Sequence, residues 1–140
     1  MQSLESGLAV IGRFLLGLYF LLPGISKVTG FAGSAAYMEQ HGMVFVPFFL
    51  VTALILQIGG GLFLIAGYKV RYTALMFAGM TLAINIVMHD FWNVYEGLSQ
   101  AHETQNFVKN LAIMAGLLVL ASNRGHSPLS LDSKNATNSA

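Results

Sequence analysis

The chain has 140 residues, of which 55% are hydrophobic and only 9% charged, with a net charge of +1; soluble domains carry about 25% charged residues, so too little polar surface exists to coat a globule. The mean hydropathy of +0.65 agrees and points to a membrane protein. Without a Lys/Arg cluster the chain lacks the electrostatic footprint of a nucleic-acid binder, and with no cysteine it cannot by itself perform disulfide exchange, thiolate chemistry or cysteine ligation of an iron-sulfur cluster.

Residues 1–6 carry Glu5 and no basic side chain, and no small-residue cleavage pattern follows the first apolar run, so a removable signal peptide is not expected. The first spanning helix is predicted over residues 7–27. Arg13 lies inside it, and Pro23-Gly24 falls near its far end, where a kink or helix end is expected. In the connection 29–42, Ser34 is placed to cap a short interfacial helix and Gly42 to end it in the left-handed conformation.

Residues 43–67 form the dominant run, free of charge and interrupted only by the polar side chains of Thr52 and Gln57. The run exceeds the roughly 20 apolar residues needed to cross a bilayer. A backbone surrounded by lipid must satisfy its own hydrogen bonds, which makes it a helix, predicted over 46–67 with Pro47 in the first turn. Residues 68–71 leave room only for a tight connection. The third span is predicted over 72–88, where Ala74 and Ala78 have the spacing that lets a neighbouring backbone approach.

Residues 89–106 are the longest polar stretch of the body. Phe91, Trp92, Tyr95 and Leu98 recur there at helical spacing, suggesting an amphipathic segment in the headgroup zone with Trp92 as anchor. The fourth span is predicted over 107–122, with Ala112 and Gly116 at small-residue spacing. At about 24 Å it is short. From residue 123 to 140 the composition is too polar to bury an apolar core, and a disordered tail is expected; the sequon Asn135-Ala136-Thr137 within it is a weak signal. The fold class expected is therefore all-α, an integral membrane four-helix bundle with short interfacial helices in its outward-facing loops.

Basic residues set the orientation. Lys69, Arg71, Arg124 and Lys134 fall on one face, and the positive-inside bias makes that face cytoplasmic, with both termini on it. The outer face then collects Glu39, Asp90, Glu96 and Glu103 with His41, His89 and His102.

Polar groups at membrane depth need a partner or a purpose. Arg13 and Gln57 lie on adjacent antiparallel helices and are expected to meet inside the bundle, where the guanidinium would offer a fork of donors to a ligand oxygen; snorkelling of Arg13 to cytoplasmic phosphates is the structural alternative. Gly60, central in the triplet 59–61, marks either close helix packing or a slot for a planar ring or lipid chain beside Gln57. Lys27, Asn85, His89, Lys109 and Asn110 should share one membrane level as a second polar cluster, suited to interfacial hydrogen bonding or to proton handling. No fixed-spacing metal motif exists: His102-Glu103 is not followed by a second His at the zinc-protease distance, so no metal site is expected.

Arg13 with Leu16-Gly17, Pro23-Gly24 with Ser26-Lys27, Tyr37-Met38-Glu39 with Gly42, the triplet 59–61 with Gly67, Arg71 with Ala74, His89 with Phe91, and Phe107 with Lys109-Asn110-Leu111 together resemble the DoxX family of small bacterial membrane proteins. The resemblance implies an inner-membrane four-helix bundle. It also implies an accessory subunit of a membrane redox system, quinone-linked or tied to oxidative stress, rather than an enzyme by itself. Where the family usually has a glutamate before its glycines, this chain has Gln57, so an ion pair with Arg13 becomes at best a hydrogen bond. No intrinsic cofactor is expected beyond a quinone or lipid in contact with Arg13 and Gln57, and the partners expected are membrane lipid and a membrane protein or a second copy. Two other readings compete: a small transporter or proton-permeation module, and a structural adaptor that binds other subunits through its small-residue faces.

Overall fold

The computed structural model describes residues 1–123 and 129–138, and every regular element among them is a helix. These are α1 (Gln2–Thr29), α2 (Phe31–Gln40), α3 (Val46–Ala66), α4 (Val70–Met88), α5 (Gln100–Ser122) and α6 (Leu131–Asn138). The helices α1, α3, α4 and α5 are long and apolar enough to cross a membrane. Their outward faces carry large apolar side chains such as Ile11, Leu15, Phe48, Ile55 and Val119, which lipid would cover at no cost. The protein is an integral membrane four-helix bundle.

The bundle is two antiparallel pairs, α1 with α3 and α4 with α5, joined by thinner contacts. Small residues set the first pair. A Cβ on Gly61 would stand 2.9 Å from the Gly17 carbonyl oxygen, and one on Gly24 would stand 3.0 Å from the Gln57 Cβ, so the backbones touch where glycine permits it. The second pair buries Ala74, Phe77 and Ala78 against Leu117 and Ala121, and Phe20 of α1 stacks on Phe77 at 3.8 Å to tie the pairs together.

Several boundaries differ from the sequence reading. The first span starts at Gln2 and runs through Pro23 to Thr29. The last span starts at Gln100 rather than 107, because the Ser99 side chain accepts a hydrogen bond from the His102 amide and caps it; its 23 residues then reach about 34 Å, a full crossing. Residues 89–99 consequently form turns rather than an amphipathic helix, with Trp92 half-exposed and edge-on to Phe91 and Phe107. In α2, Gly30 is the N-cap, so Ser34 lies inside the helix and caps nothing, while Gly42 adopts the left-handed conformation expected of it. Ala112 is exposed, and no atom beyond its own helix comes within 4 Å of a Cβ at Gly116; α5 packs through Leu117 and Ala121 instead.

The tail departs most from expectation. Residues 129–138 carry α6, held by polar contacts rather than apolar burial. The Asp132 carboxylate accepts from the Lys69 amide at 2.7 Å and the Val70 amide at 2.9 Å, satisfying free N–H groups at the start of α4 that no side chain of Lys69 caps. Arg124, used above for orientation, lies outside the described residues.

Candidate functional site

Arg13 and Gln57 are both buried, at 3% and 5% exposure, but they do not meet. The α1/α3 register sets Arg13 beside Gly67 and Gln57 beside Gly24; ten residues of α3 separate the two levels, about 15 Å along a helix. Arg13 instead donates from Nη2 to the Leu129 carbonyl at 3.1 Å, binding the tail segment at that end of the bundle. The expected Arg13–Gln57 site is thereby replaced by two separate places.

Gln57 belongs to a cavity of about 260 Å³ in which it joins Lys27, Thr81, His89, Lys109 and Asn110. Tyr19, Phe20 and Pro23 of α1 and Ile84 of α4 supply the less polar walls. Two buried atoms here have no partner, Gln57 Oε1 and Thr81 Oγ1. An unpartnered polar atom in such surroundings costs about 1–3 kcal/mol, so both side chains hold a polar atom in the wall at a cost to the fold. No Asp or Glu is among its lining residues. Of the residues expected here, Asn85 stands one layer behind: Tyr19 donates to Asn110 Oδ1 at 2.8 Å, Asn110 Nδ2 to Asn85 Oδ1 at 2.9 Å, and Asn85 Nδ2 to the Phe107 carbonyl at 3.0 Å. That chain fixes the amide of Asn110 and crosses from α1 to α4 and α5. Gly60 does not reach the cavity. Its Cα is covered by Phe77, whose Cζ would lie 2.6 Å from an added Cβ, so the ring of Phe77 already fills the expected slot.

Behind the cavity lies an acid and histidine network at the α2 end. His89 Nδ1 is 2.6 Å from Glu103 Oε2, and the Tyr37 hydroxyl donates to Glu103 Oε1 at 3.0 Å. Both oxygens of this buried carboxylate are therefore engaged. Burial, followed by the bond to Glu103, raises the pKa of the Tyr37 phenol above its ordinary value. Nearby, Asp90 accepts from the Tyr95 hydroxyl at 2.6 Å and the Asn93 amide at 2.7 Å. Burial opposes its ionisation, but those bonds outweigh burial and hold its carboxyl below the ordinary carboxylate value. His41 Nδ1 faces the Tyr37 carbonyl at 2.9 Å, which fixes the proton on that nitrogen and leaves Nε2 pointing at Asp90 Oδ1, 3.8 Å away. Only the imidazolium can donate across that gap. His102 stands exposed outside the network, and no group of three His, Asp or Glu among the described residues is arranged to hold a metal ion.

Sequence reasoning missed Thr81, Tyr19 and the role of Glu103 and Tyr37. For Thr81 a signal existed: Thr73, Phe77, Thr81, Asn85 and His89 recur every fourth residue and mark one inward stripe of α4. Nothing in the sequence pairs Tyr37 with Glu103.

Comparison with known proteins agrees with this architecture. The DoxX family model matches residues 8–90. The chain is 38% identical over 122 residues to the inner membrane protein YqjF of Escherichia coli (strain K12), covering 86% of this chain and 87% of that one. It is 28% identical over 125 residues to the inner membrane protein YphA of the same organism, covering 89% and 88%. No solved structure matches. With four membrane-crossing helices and a family match over most of the body, the chain belongs to the DoxX family, as a multi-pass inner-membrane protein.

Proposed function

We propose that the protein is an accessory subunit of a quinone-linked or oxidative-stress redox complex, not an enzyme by itself, and that its cavity seats the head of a quinone or lipid. The observation that carries this reading is a space of about 260 Å³ between the two helix pairs, lined by Lys27, His89, Lys109 and Asn110 and by Gln57 and Thr81, whose Oε1 and Oγ1 are buried in its wall without a partner. Such a space, apolar on the Phe20 and Ile84 side and polar at a few fixed points, has the character of a small-ligand site. Ligand contacts fall to Gln57, Lys27, His89, Lys109 and Asn110, with Asn85 positioning Asn110; Arg13 serves the opposite end. Both termini are cytoplasmic in this reading, since Lys69, Arg71 and Lys134 share one face. The exposed apolar faces of the spans leave area for a membrane partner or a second copy. The test is purification in mild detergent followed by solvent extraction and absorbance or mass analysis of the extract. A stoichiometric quinone or lipid should be found with the native chain and lost from Gln57→Leu and Lys27→Ala; an empty extract from the native chain refutes the reading.

A further inference from the structure

His41 is the C-cap of α2, and Gly42 beside it, in the left-handed conformation, turns the chain away there. The imidazole is fully buried between the rings of Tyr37 and Tyr95, each with its centroid 4.5 Å away. Nδ1 gives its hydrogen to the Tyr37 carbonyl at 2.9 Å, since a carbonyl can only accept. In the neutral ring Nε2 is then a bare lone pair, and it faces another acceptor, Asp90 Oδ1, across 3.8 Å. Neither atom has a hydrogen-bond partner among the described residues. Two acceptors facing each other in a buried place cost the fold on both sides.

One proton resolves both. On Nε2 it makes the ring a donor aimed at the carboxylate, and a charge-assisted bond of about 2.8 Å asks the two atoms to close by only about 1 Å. Against the burial that opposes a charge stand the two tyrosine rings within cation–π reach, the negative end of the α2 dipole and the carboxylate itself, which Tyr95 and Asn93 keep ionised through its other oxygen. The remaining titratable groups nearby are engaged or turned away. Tyr37 donates to Glu103, whose second oxygen takes His89; Glu39 and Glu96 are exposed; Lys27, the charge of α1 at this end, lines the cavity; and α3 carries no titratable side chain. No third His, Asp or Glu among the described residues completes a metal site, so the gap suits a proton. We infer that His41 and Asp90 form a proton-operated latch: the imidazolium draws the last turn of α2 onto residues 89–99, and loss of the proton releases it. Gln40 ties the same turn to the Glu96 carbonyl at 2.7 Å whatever the pH, so release loosens α2 without detaching it. The latch stands whether or not the cavity holds a ligand.

The test is amide hydrogen exchange of the full chain in neutral detergent, read as protection factors so that the intrinsic pH dependence of exchange drops out, at about pH 5.5 and about pH 8, either side of the ordinary histidine value of about 6.5. The bond exists only with the proton in place, so its contribution is present on the acid side and lost on the alkaline side. The amides of His41, Gly42 and Met43, which close the end of α2 on the Met38 and Glu39 carbonyls, should be about tenfold more protected at the lower pH, the size of one hydrogen bond to a charged group. His41→Phe, which keeps a ring between the tyrosines, and Asp90→Asn should each erase the difference. His102→Gln, exposed and outside the network, should keep it. The native chain supplies a reading that no variant's folding can spoil: the imidazole nitrogen shifts of His41 should show Nδ1 protonated at both pH values and Nε2 only at the lower. Equal protection at the two pH values, a difference that survives both His41→Phe and Asp90→Asn, or a His41 Nε2 without a proton at the lower pH overturns the latch. So does a divalent metal held stoichiometrically by the native chain and lost from His41→Phe.

Discussion

His89 Nδ1 lies 2.6 Å from Glu103 Oε2, joining the end of α4 to the first turn of α5 across the residues that connect them. The carboxylate is 6% exposed, and its other oxygen takes the Tyr37 hydroxyl from α2. Three elements thus converge on one acid. The imidazole that it orients is also a wall of the cavity, and the acid holds the proton of the neutral ring on Nδ1.

Glu103→Ala should therefore lower stability by about 1.5–3 kcal/mol, the range for hydrogen bonds to a charged group. Thermal unfolding in detergent measures it. A change within error would mean that Tyr37 and His89 find other partners and that the convergence is incidental.

The Tyr37 phenol gives a pH dependence with a definite sign. Its folded pKa is raised above the ordinary 10.0 by burial and by the bond to Glu103, with Asp90 and Tyr95 adding to the effect. The neutral phenol is the form the fold prefers, so its contribution is complete below pH 10.0 and is lost as pH rises past that value toward the folded pKa. Amide hydrogen exchange across residues 31–40 should accelerate above that pH relative to the rest of the chain. Tyr37→Phe should remove the alkaline transition; if it persists unchanged, another group drives it.

The spans were legible because lipid imposes a single requirement, an uncharged helix of sufficient length, and the run around Gln57 meets it without ambiguity. Gly60 and Gly61 were legible as packing residues for the same reason: a glycine in a helix interior is tolerated where a neighbour comes close. The level at which Arg13 and Gln57 sit was not legible, because both lie on one pair of helices and only the register decides whether they meet. That register comes from Gly17 against Gly61 and Gly24 against Gln57, contacts no periodicity reveals. The start of α5 was obscured by its polar first turns, which read as loop until the Ser99 cap and the buried Glu103 give them a reason to coil. The tail's attachment rests on Asp132 completing the start of α4, a contact across 62 residues that composition cannot show.

Gly61→Ala and Gly59→Ala should differ in sign although the residues are two apart. An added methyl at Gly61 would sit 2.9 Å from the Gly17 carbonyl oxygen and 2.9 Å from the Leu21 Cβ, forcing α1 away from α3; overpacking of this kind costs about 1–3 kcal/mol. At Gly59 no neighbour lies within 4 Å, and replacing glycine in a helix gains up to about 1 kcal/mol. Paired unfolding curves of the two variants decide the matter, and equal shifts would contradict the α1/α3 contact.

Asp132→Ala should release the tail while leaving the spans folded. It removes the two bonds to the Lys69 and Val70 amides, a loss of about 0.5–2 kcal/mol by analogy with helix caps. Limited proteolysis should then cut faster within 129–138, and hydrogen exchange should rise at the first turn of α4. Unaltered cleavage would show that the remaining contacts, among them Arg13 with the Leu129 carbonyl and the Asp132 amide with the Gly67 carbonyl at 3.0 Å, hold the segment without the carboxylate.

Thr81→Val offers the sharpest separation of stability from ligand binding. The hydroxyl is 3% exposed and has no partner, so the ligand-free protein carries its desolvation without return, and an apolar group of nearly the same shape should raise the stability of the empty protein by about 1–3 kcal/mol. Gln57→Leu should act in the same direction through its Oε1. A ligand that binds only the folded state raises the melting temperature in proportion to its affinity; that increment should shrink in both variants even as the baseline rises. The two measurements, melting with and without added quinone or membrane-lipid extract, therefore move oppositely if these groups are kept for a ligand. Should Thr81→Val destabilise the empty protein, its hydroxyl has a partner within the bundle, and the cavity loses one of the two features that make it a site.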